Sequence, residues 1–270
     1  MIDANDGLSE SEIRAVVGAH SGAPLRFEIL SETDSTNSHT FGRGEQGALE
    51  GLVVFAERQS AGRGRLNRAW ESPGGKNIYT SLLLRPPLSP STAPQITLVA
   101  GVACYEALRN YVGARQAAPL RLKWPNDLWV GLKKIGGILT ELKASGDRVD
   151  FVVVGIGLNI NADVADFSEG LLPIATSLLL ETGKTHSRSQ MAGGLLQSFF
   201  QNYDDFLKNG FEPIRKKWEA YSKMGGTKVK VAESGRTFEG ICQGLDEEGY
   251  LLVRTSSGVE KVVAGDVSWI

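Results

Sequence analysis

Apolar and polar residues recur along this chain with two different periods, and these periods predict its strands and helices. Runs rich in β-branched residues predict strands at residues 25–30, 52–57, 77–85, 120–124, 128–130, 135–142 and 149–159. Apolar residues at helical spacing predict helices at residues 93–110, 191–208 and 211–221. A cluster of good N-cap residues at 34–37 predicts a further helix that runs to about Gly44. One more short helix is expected before residue 22.

The connections between the predicted strands indicate the fold class. Short, glycine-marked turns join the strands between residues 120 and 159, which favours hairpins over strand–helix–strand crossovers. We therefore expect an α+β fold with a mixed, largely antiparallel sheet and packed helices. Residues 1–224 are expected to form this large domain.

The pattern changes after Gly225 and Gly226, where short strands follow one another with tight turns. Four strands are predicted, at residues 228–231, 237–240, 250–253 and 260–263. A segment of this length and pattern is typical of a small SH3-like β-barrel. We expect residues 225–270 to form this second domain.

Composition excludes several classes of protein. The 270 residues are 41% hydrophobic and 22% charged, and the net charge of −2 gives no general attraction to nucleic acid. Cys104 and Cys242 are far apart in sequence and the histidines are scattered, so neither a disulfide framework nor a zinc site is expected. No signal sequence or membrane-spanning run is present, and the chain is expected to be cytoplasmic, without a membrane partner.

The segment from Gly62 to Gly75, called here the arginine loop, carries the strongest chemical signal. Three arginines, Arg63, Arg65 and Arg68, lie among glycines in a stretch without a helical or strand period. Glycine lets backbone approach a ligand closely, and arginine donates two parallel hydrogen bonds to phosphate or carboxylate. The loop therefore predicts an anion site. Taken alone, it is more typical of a solvated basic loop.

Four further segments complete a pattern, in the order Ser35-Thr36-Asn37, Lys123-Trp124-Pro125-Asn126-Asp127, residues 133–141 and residues 154–161. With the arginine loop between the first two, the chain resembles the biotin protein ligases (biotin–acetyl-CoA-carboxylase ligases) from about residue 25 to its end. The resemblance implies a class II synthetase-like biotin–lipoate ligase fold. It also implies ATP, Mg²⁺ and biotin as ligands, a biotinyl-5'-adenylate intermediate, and a biotin carboxyl carrier protein as acceptor.

The resemblance also implies roles for individual residues. Lys134, Arg65 and Arg63 are the expected catalytic residues, although Lys133 competes with Lys134 for its role. Biotin is expected to contact Ser35, Thr36, Asn37, Gln59, Gly62, Arg63, Gly64, Arg65, Lys134, Gly136 and Gly137. The nucleotide is expected to contact Arg65, Arg68, Trp70, Lys123, Asn126, Asp127, Lys134 and Asn159, with Asp127 as a metal ligand. Ser35 and Thr36 are also good helix caps, and Gly136 and Gly137 are also consistent with a β-bulge.

Fixed cations suit the implied chemistry, because negative charge builds on phosphate oxygens when a carboxylate attacks the α-phosphate. An acyl-adenylate is also destroyed by water, so a glycine-hinged loop that closes over it is expected to protect it. In this family the loop often has another basic residue and a glycine where this chain has Leu66 and Asn67. Because of that difference, the experiment to make is a measurement of how well the enzyme retains the intermediate.

Several alternatives stay open at this stage. Lipoate or octanoate ligases share a related fold, and a nucleic-acid-binding module would also place arginines on phosphates. Residues 1–24 are too few for a winged-helix domain, so no operator binding is expected. The chain is expected to be a monomer or a homodimer, and strand 149–159 is a candidate for pairing across a two-fold axis.

Overall fold

The computed structural model describes residues 7–18, 24–112, 119–233 and 235–270. The acidic first six residues and His20 lie outside these ranges. The described helices are α1 (Glu10–Val17), α2 (Thr36–Glu45), α3 (Gln95–Val112), α4 (Leu178–Thr182), α5 (Arg188–Asn209) and α6 (Glu212–Ser222).

Seven strands form the larger sheet: β1 (Arg26–Thr33), β2 (Leu52–Gln59), β3 (Ile78–Leu84), β4 (Leu120–Lys123), β5 (Asp127–Val130), β6 (Lys133–Ser145) and β7 (Arg148–Leu158). Their order across the sheet is β1-β2-β3-β7-β6-β5-β4. Only the β1–β2 pair is parallel, and the other neighbours are antiparallel. The expected mixed, largely antiparallel α+β fold is therefore confirmed.

The helices cover the two faces of this sheet unequally. Helices α1, α3, α5 and α6 pack on one another and on one face, where the main hydrophobic core lies. Helix α2 packs alone against β2, β3 and β7 on the other face, over a small apolar cluster that includes Leu83 and Phe151. The first turn of α2 therefore lies over the middle of the sheet, beside the open part of its surface.

The second sheet contains β8 (Lys228–Glu233), β9 (Arg236–Leu245), β10 (Leu251–Thr255), β11 (Gly258–Val262) and β12 (Asp266–Trp269). It is antiparallel, in the order β11-β10-β9-β8-β12. It is docked against the end of β4 and against α6 through hydrogen bonds. One runs from the Trp124 indole to the Gly249 carbonyl (3.1 Å), and another runs from the Leu245 amide to Glu219 (2.9 Å).

Three expectations differ from this structure. Strand β7 lies between β3 and β6, with both edges paired along most of its length, so it cannot pair across a two-fold axis as an edge strand. Strand β12 was missed because its four residues contain only one buried apolar position, Val267. The arginine loop contains a short 3₁₀ turn, Arg65–Asn67, which no hydrophobic period signals.

Two smaller findings bear on the expected chemistry. Cys104 and Cys242 are both buried and free, which agrees with the expected absence of a disulfide framework. In the described ranges, no helix is long and apolar enough to cross a bilayer. The cytoplasmic location stays a prediction.

Candidate active site

One cavity of about 470 Å³ opens beside the first turn of α2. Its walls come from that turn, the arginine loop, strands β5, β6 and β7, residues 166–175, and strands β8 and β12 of the second sheet. Segments far apart in sequence therefore meet around one space of ligand size, as in small-molecule binding sites.

Residues 35–37, called here the biotin turn in keeping with the sequence prediction, form a buried polar wall of the cavity. Ser35 is the N-cap residue of α2, but its side chain makes no capping hydrogen bond. The Ser81 hydroxyl donates to Asn37 Oδ1 (2.6 Å) and lies 2.8 Å from the Thr36 hydroxyl. Asn37 Nδ2 donates to the Leu139 carbonyl (3.0 Å). This network fixes the turn and leaves the Ser35 hydroxyl without a capping role.

Two glycines decide how closely the turn and the sheet approach each other. A Cβ on Gly155 would lie 1.9 Å from Asn37 Oδ1, and one on Gly157 would lie 2.7 Å from the Trp70 ring. Both glycines are on β7, and their side-chain positions face the cavity. Glycine is needed at both because any side chain would displace the biotin turn or Trp70.

Gln59, the last residue of β2, connects the biotin turn with the arginine loop. Its Oε1 accepts hydrogen bonds from the Thr36 amide (2.8 Å) and hydroxyl (3.2 Å), and its Nε2 donates to the Ser72 hydroxyl (2.8 Å). The Ser72 hydroxyl in turn donates to the Trp70 carbonyl (3.0 Å). One amide side chain therefore sets the position of the turn relative to the end of the loop.

Lys134 points into the centre of the cavity. Its Nζ lies 2.6 Å from an Asp127 carboxylate oxygen and 5.3 Å from the centre of the Trp70 ring. A register shift between β5 and β6 makes Trp129 face Lys134 and Leu128 face Gly136, so Ile135 is an extra residue in β6. Without this bulge, Lys134 and Gly137 would face opposite sides of the sheet.

Arg65 and Arg68 connect the arginine loop to the rest of the site and to the second sheet. Arg65 donates to Asn126 Oδ1 (3.2 Å) and to the Gly265 carbonyl (3.5 Å), while Arg68 forms a two-pronged ion pair with Asp266 on β12. Burial lowers the pKa of Arg65. The hydrogen bonds from Arg68 hold the pKa of Asp266 below its usual value. The loop is thus held across the boundary between the sheets by charge.

Lys123, the last residue of β4, lies between two tryptophans at the same boundary. Its Nζ is 4.3 Å from the centre of the Trp129 ring and 5.8 Å from that of Trp269, both favourable distances for a cation over an aromatic face. Burial lowers the pKa of Lys123, while the Asp127 charge opposes that effect. This end of the cavity therefore carries a partly desolvated positive charge.

Both parts of the chain match families of known proteins. Residues 30–159 match the Biotin/lipoate A/B protein ligase family, and residues 225–269 match the Biotin protein ligase C terminal domain. The Bifunctional ligase/repressor BirA of Bacillus subtilis is 38% identical over 96% of this chain and 78% of its own length. The Biotin--[acetyl-CoA-carboxylase] ligase of Paracoccus denitrificans is 34% identical over 88% and 98%.

A solved structure of a biotin protein ligase is also similar to this chain. The biotin protein ligase from Aquifex aeolicus, in complex with biotin and ATP, superimposes with a TM-score of 0.78 at 30% identity, covering 91% of this chain and 99% of that one. This chain belongs to the biotin protein ligase family. It is an enzyme of the ligase class, and the reading of the arginine loop as a nucleic-acid-binding module is set aside.

The ligase cavity brings together most of the expected site residues. Lining it are Ser35, Thr36, Asn37, Gln59, Arg63, Gly64, Arg65, Arg68, Trp70, Lys123, Asn126, Asp127, Lys134, Gly137 and Asn159. Two expected residues do not line it. Gly136 faces the opposite side of β6, where a Cβ would lie 2.6 Å from Leu158. Gly62 lies at the base of the arginine loop, where a Cβ would lie 2.4 Å from the Trp70 carbonyl oxygen.

The structure also distinguishes the two adjacent lysines. Lys133 is exposed and its Nζ donates to the Leu172 carbonyl (3.2 Å), outside the cavity, whereas Lys134 lines it. Asn159 is buried at the end of β7, and its Nδ2 donates to the Thr176 carbonyl (3.0 Å). Asn159 therefore also connects the sheet to the loop that follows.

Sequence reasoning missed one wall of the cavity, formed by residues 166–175. Phe167, Leu171 and Ile174 supply apolar surface there. Backbone bonds between Lys134 and residues 174 and 176 attach this loop to β6. Asp166, Ser168, Gly170 and Pro173 interrupt its apolar residues, so neither a strand nor a helix was predicted there.

Proposed function

We propose that this ligase uses the cavity to activate biotin with ATP and then transfers the biotinyl group to a lysine of a biotin carboxyl carrier domain. The observation that carries the proposal is the position of Lys134. Its ammonium lies in a cavity that has a buried hydrogen-bonding wall at one side and a cluster of cations at the other. The relative from Paracoccus denitrificans, named a Biotin--[acetyl-CoA-carboxylase] ligase, supports the choice of acceptor.

The biotin turn is the proposed site for the ureido ring of biotin. Ser35 and Thr36 provide hydroxyls at a cavity wall that also includes Gly155 and Gly157, and the close packing of Asn37 and Trp70 on these glycines leaves the cavity open in front of them. On this assignment the biotin carboxylate extends toward Lys134 and Arg63. Phe167, Leu171 and Ile174 are then left, with Trp70, as an apolar surface for adenine.

The proposed first step is attack by a biotin carboxylate oxygen on the α-phosphorus of ATP. A new P–O bond forms, the bond from the α-phosphorus to the β-bridging oxygen breaks, and pyrophosphate leaves with the electron pair. Lys134 and Arg65 stabilise the charge that develops on the phosphate oxygens. Lys123 lies at the cationic end of the cavity, where its ammonium is suited to the departing pyrophosphate.

In the proposed second step, the amine of the acceptor lysine attacks the biotinyl carbonyl carbon. The C–O bond to AMP breaks, AMP leaves as the phosphate anion, and the amine loses one proton to form the amide. The arginine loop excludes water between the two steps, since hydrolysis of the mixed anhydride competes with transfer.

Mg²⁺ fits this site only as an ion carried by the nucleotide. In the described part of the chain, no group of three or more His, Cys, Asp or Glu side chains is placed to hold a metal. Magnesium in ATP enzymes is commonly held by phosphates and one or two carboxylates. Asp127 would be that carboxylate, because one of its oxygens is 2.6 Å from Lys134 and the other can serve the ion. When bound, the ion would neutralise charge on the phosphates.

The experiment that tests this function uses a purified carrier domain, ATP, Mg²⁺ and biotin. We expect the mass of the carrier to rise by one biotinyl group on a single lysine, and to stay unchanged when ATP is omitted. Lipoate in place of biotin is the control for the nearest alternative. A carrier labelled with lipoate and not with biotin would contradict the proposal.

A further inference from the structure

The carboxylate of Glu141, on β6, makes a second connection between the biotin turn and the arginine loop, in addition to that of Gln59. Its Oε1 accepts from Arg63 Nη2 of the arginine loop (2.6 Å), and its Oε2 accepts from Asn37 Nδ2 of the biotin turn (3.0 Å). The side chain is 25% exposed, and the residue does not line the cavity. Glu141 therefore acts on the ligand site only through its two partners.

The two partners differ in how firmly they are held. Asn37 is buried, and its remaining polar contacts are to Ser81 and to the Leu139 carbonyl. Arg63 is 45% exposed, and its other hydrogen bond is a 3.3 Å contact with the Ser38 hydroxyl. An exposed ion pair normally contributes little, since both long side chains must be ordered. Here Asn37 already orders the carboxylate, which reduces the cost of the contact with Arg63.

Both ends of the arginine loop are therefore connected to the first turn of α2. Glu141 connects the beginning of the loop through Arg63, and Gln59 connects its end through Ser72. Gln59 lines the cavity, whereas Glu141 does not. The Glu141 contact thus affects loop position without contributing a group to the ligand.

We infer that Glu141 is a positioning residue that couples the biotin turn to closure of the arginine loop, and so controls how long the biotinyl-adenylate is retained. The inference rests on the function proposed above. Asn37 holds the Glu141 carboxylate in place, and Glu141 holds Arg63 over the cavity. Loss of this carboxylate should open the loop more than it slows formation of the adenylate.

The test measures the rate at which preformed, radiolabelled biotinyl-adenylate leaves the enzyme, beside the maximal rate of ATP–pyrophosphate exchange. We expect E141A to speed release about three- to ten-fold, which is the effect of losing one charged hydrogen bond at a half-exposed site. The effect on the exchange rate should be smaller. E141Q keeps a hydrogen-bond acceptor and should lie between E141A and the parent enzyme.

A second variant removes the other partner of the same contact, the Arg63 side chain of the loop. R63A should speed release to a similar extent, and the E141A/R63A double variant should be no faster than the faster single variant. The matched control is E45A. It removes another ion pair between α2 and β6, that of Glu45 with Lys143 (2.8 Å), far from the cavity. It should leave release unchanged.

The outcomes separate this inference from the proposed function. If the unmodified enzyme forms no biotinyl-adenylate, the proposed function is contradicted, and so is the inference that depends on it. If the unmodified enzyme forms it, release from E141A at the parental rate contradicts the inference alone. Fully additive effects of E141A and R63A would also contradict it, because the two side chains would then act independently.

Discussion

The biotin turn and the arginine loop are neighbouring walls of one cavity, but they are built in different ways. The three side chains of the turn are buried, and their hydrogen-bond partners all belong to the larger domain. The loop is largely exposed, and its arginines bind partners on β6, in the turn before β5 and on the second sheet. The turn is therefore suited to recognise a ligand in a fixed geometry, and the loop to close and open over it.

The largest effect is expected from Lys134, which lies between the two regions. K134A should reduce biotin-dependent ATP–pyrophosphate exchange by at least about 100-fold, since it removes a cation from the developing charge. The thermal midpoint should change little, because the side chain is at the cavity surface. K133A is the matched control, and its exchange should stay within about two-fold of the parent enzyme. Equal losses in the two variants would contradict the role of Lys134.

The rigidity of the biotin turn is tested at Gly155. G155A places a methyl group against Asn37, so the turn must shift. Overpacking of this kind costs about 1–3 kcal/mol, and we expect the biotin Kd to rise roughly 10- to 100-fold in titration calorimetry. The control is G42A in α2, where an added Cβ meets no atom within 4 Å. Unchanged biotin affinity in G155A would show that the turn is adaptable and would remove the contrast with the loop.

The ionic attachment of the loop to the second sheet is tested by charge reversal. R68D and D266R should each speed adenylate release by a few-fold, because the ion pair is half-exposed and worth about 1 kcal/mol or less. The double variant R68D/D266R restores opposite charges and should recover part of the loss. Release that is no slower in the double variant than in either single variant would contradict a direct contact between Arg68 and Asp266.

The smallest effect is a change in pH dependence at Lys123. Because burial lowers the pKa of Lys123 below 10.5, its charge is present at neutral pH and is lost on the alkaline side earlier than for an exposed lysine. ATP affinity should fall as the pH rises through that lowered value. K123R keeps its charge, so its alkaline decline should move to higher pH, with less than about a two-fold difference in affinity near pH 7. Identical alkaline profiles would contradict the assignment of this charge to the nucleotide.

The same two regions show what the sequence could predict. Strong periodicity predicted β1 to β7 and the helices α3, α5 and α6, and the N-cap cluster placed the start of α2 at the biotin turn. Most residues that the local motifs singled out also line the cavity, because Lys134, Asp127 and the arginines are unusual in their context. These features are local in sequence, so a pattern of a few residues reveals them.

Features that depend on distant partners were not predicted. The Arg68–Asp266 pair joins residues 198 positions apart, and Asp266 looks like any surface carboxylate in a short edge strand. Glu141 follows Thr140 in β6, and Ser81 follows Thr80 in the mainly apolar β3, so neither pattern indicates a role in the site. Gly136 does not line the cavity although Gly137 does, because successive strand residues face opposite sides.

Activation of biotin at this site is tested most directly by ATP–pyrophosphate exchange. The unmodified chain is measured with biotin, with lipoate and with no acid. A cavity built around the biotin turn and Lys134 predicts rapid exchange with biotin, and background exchange in the other two samples. Exchange driven by lipoate and not by biotin, or exchange that is the same without any acid, would contradict the central claim that this site activates biotin.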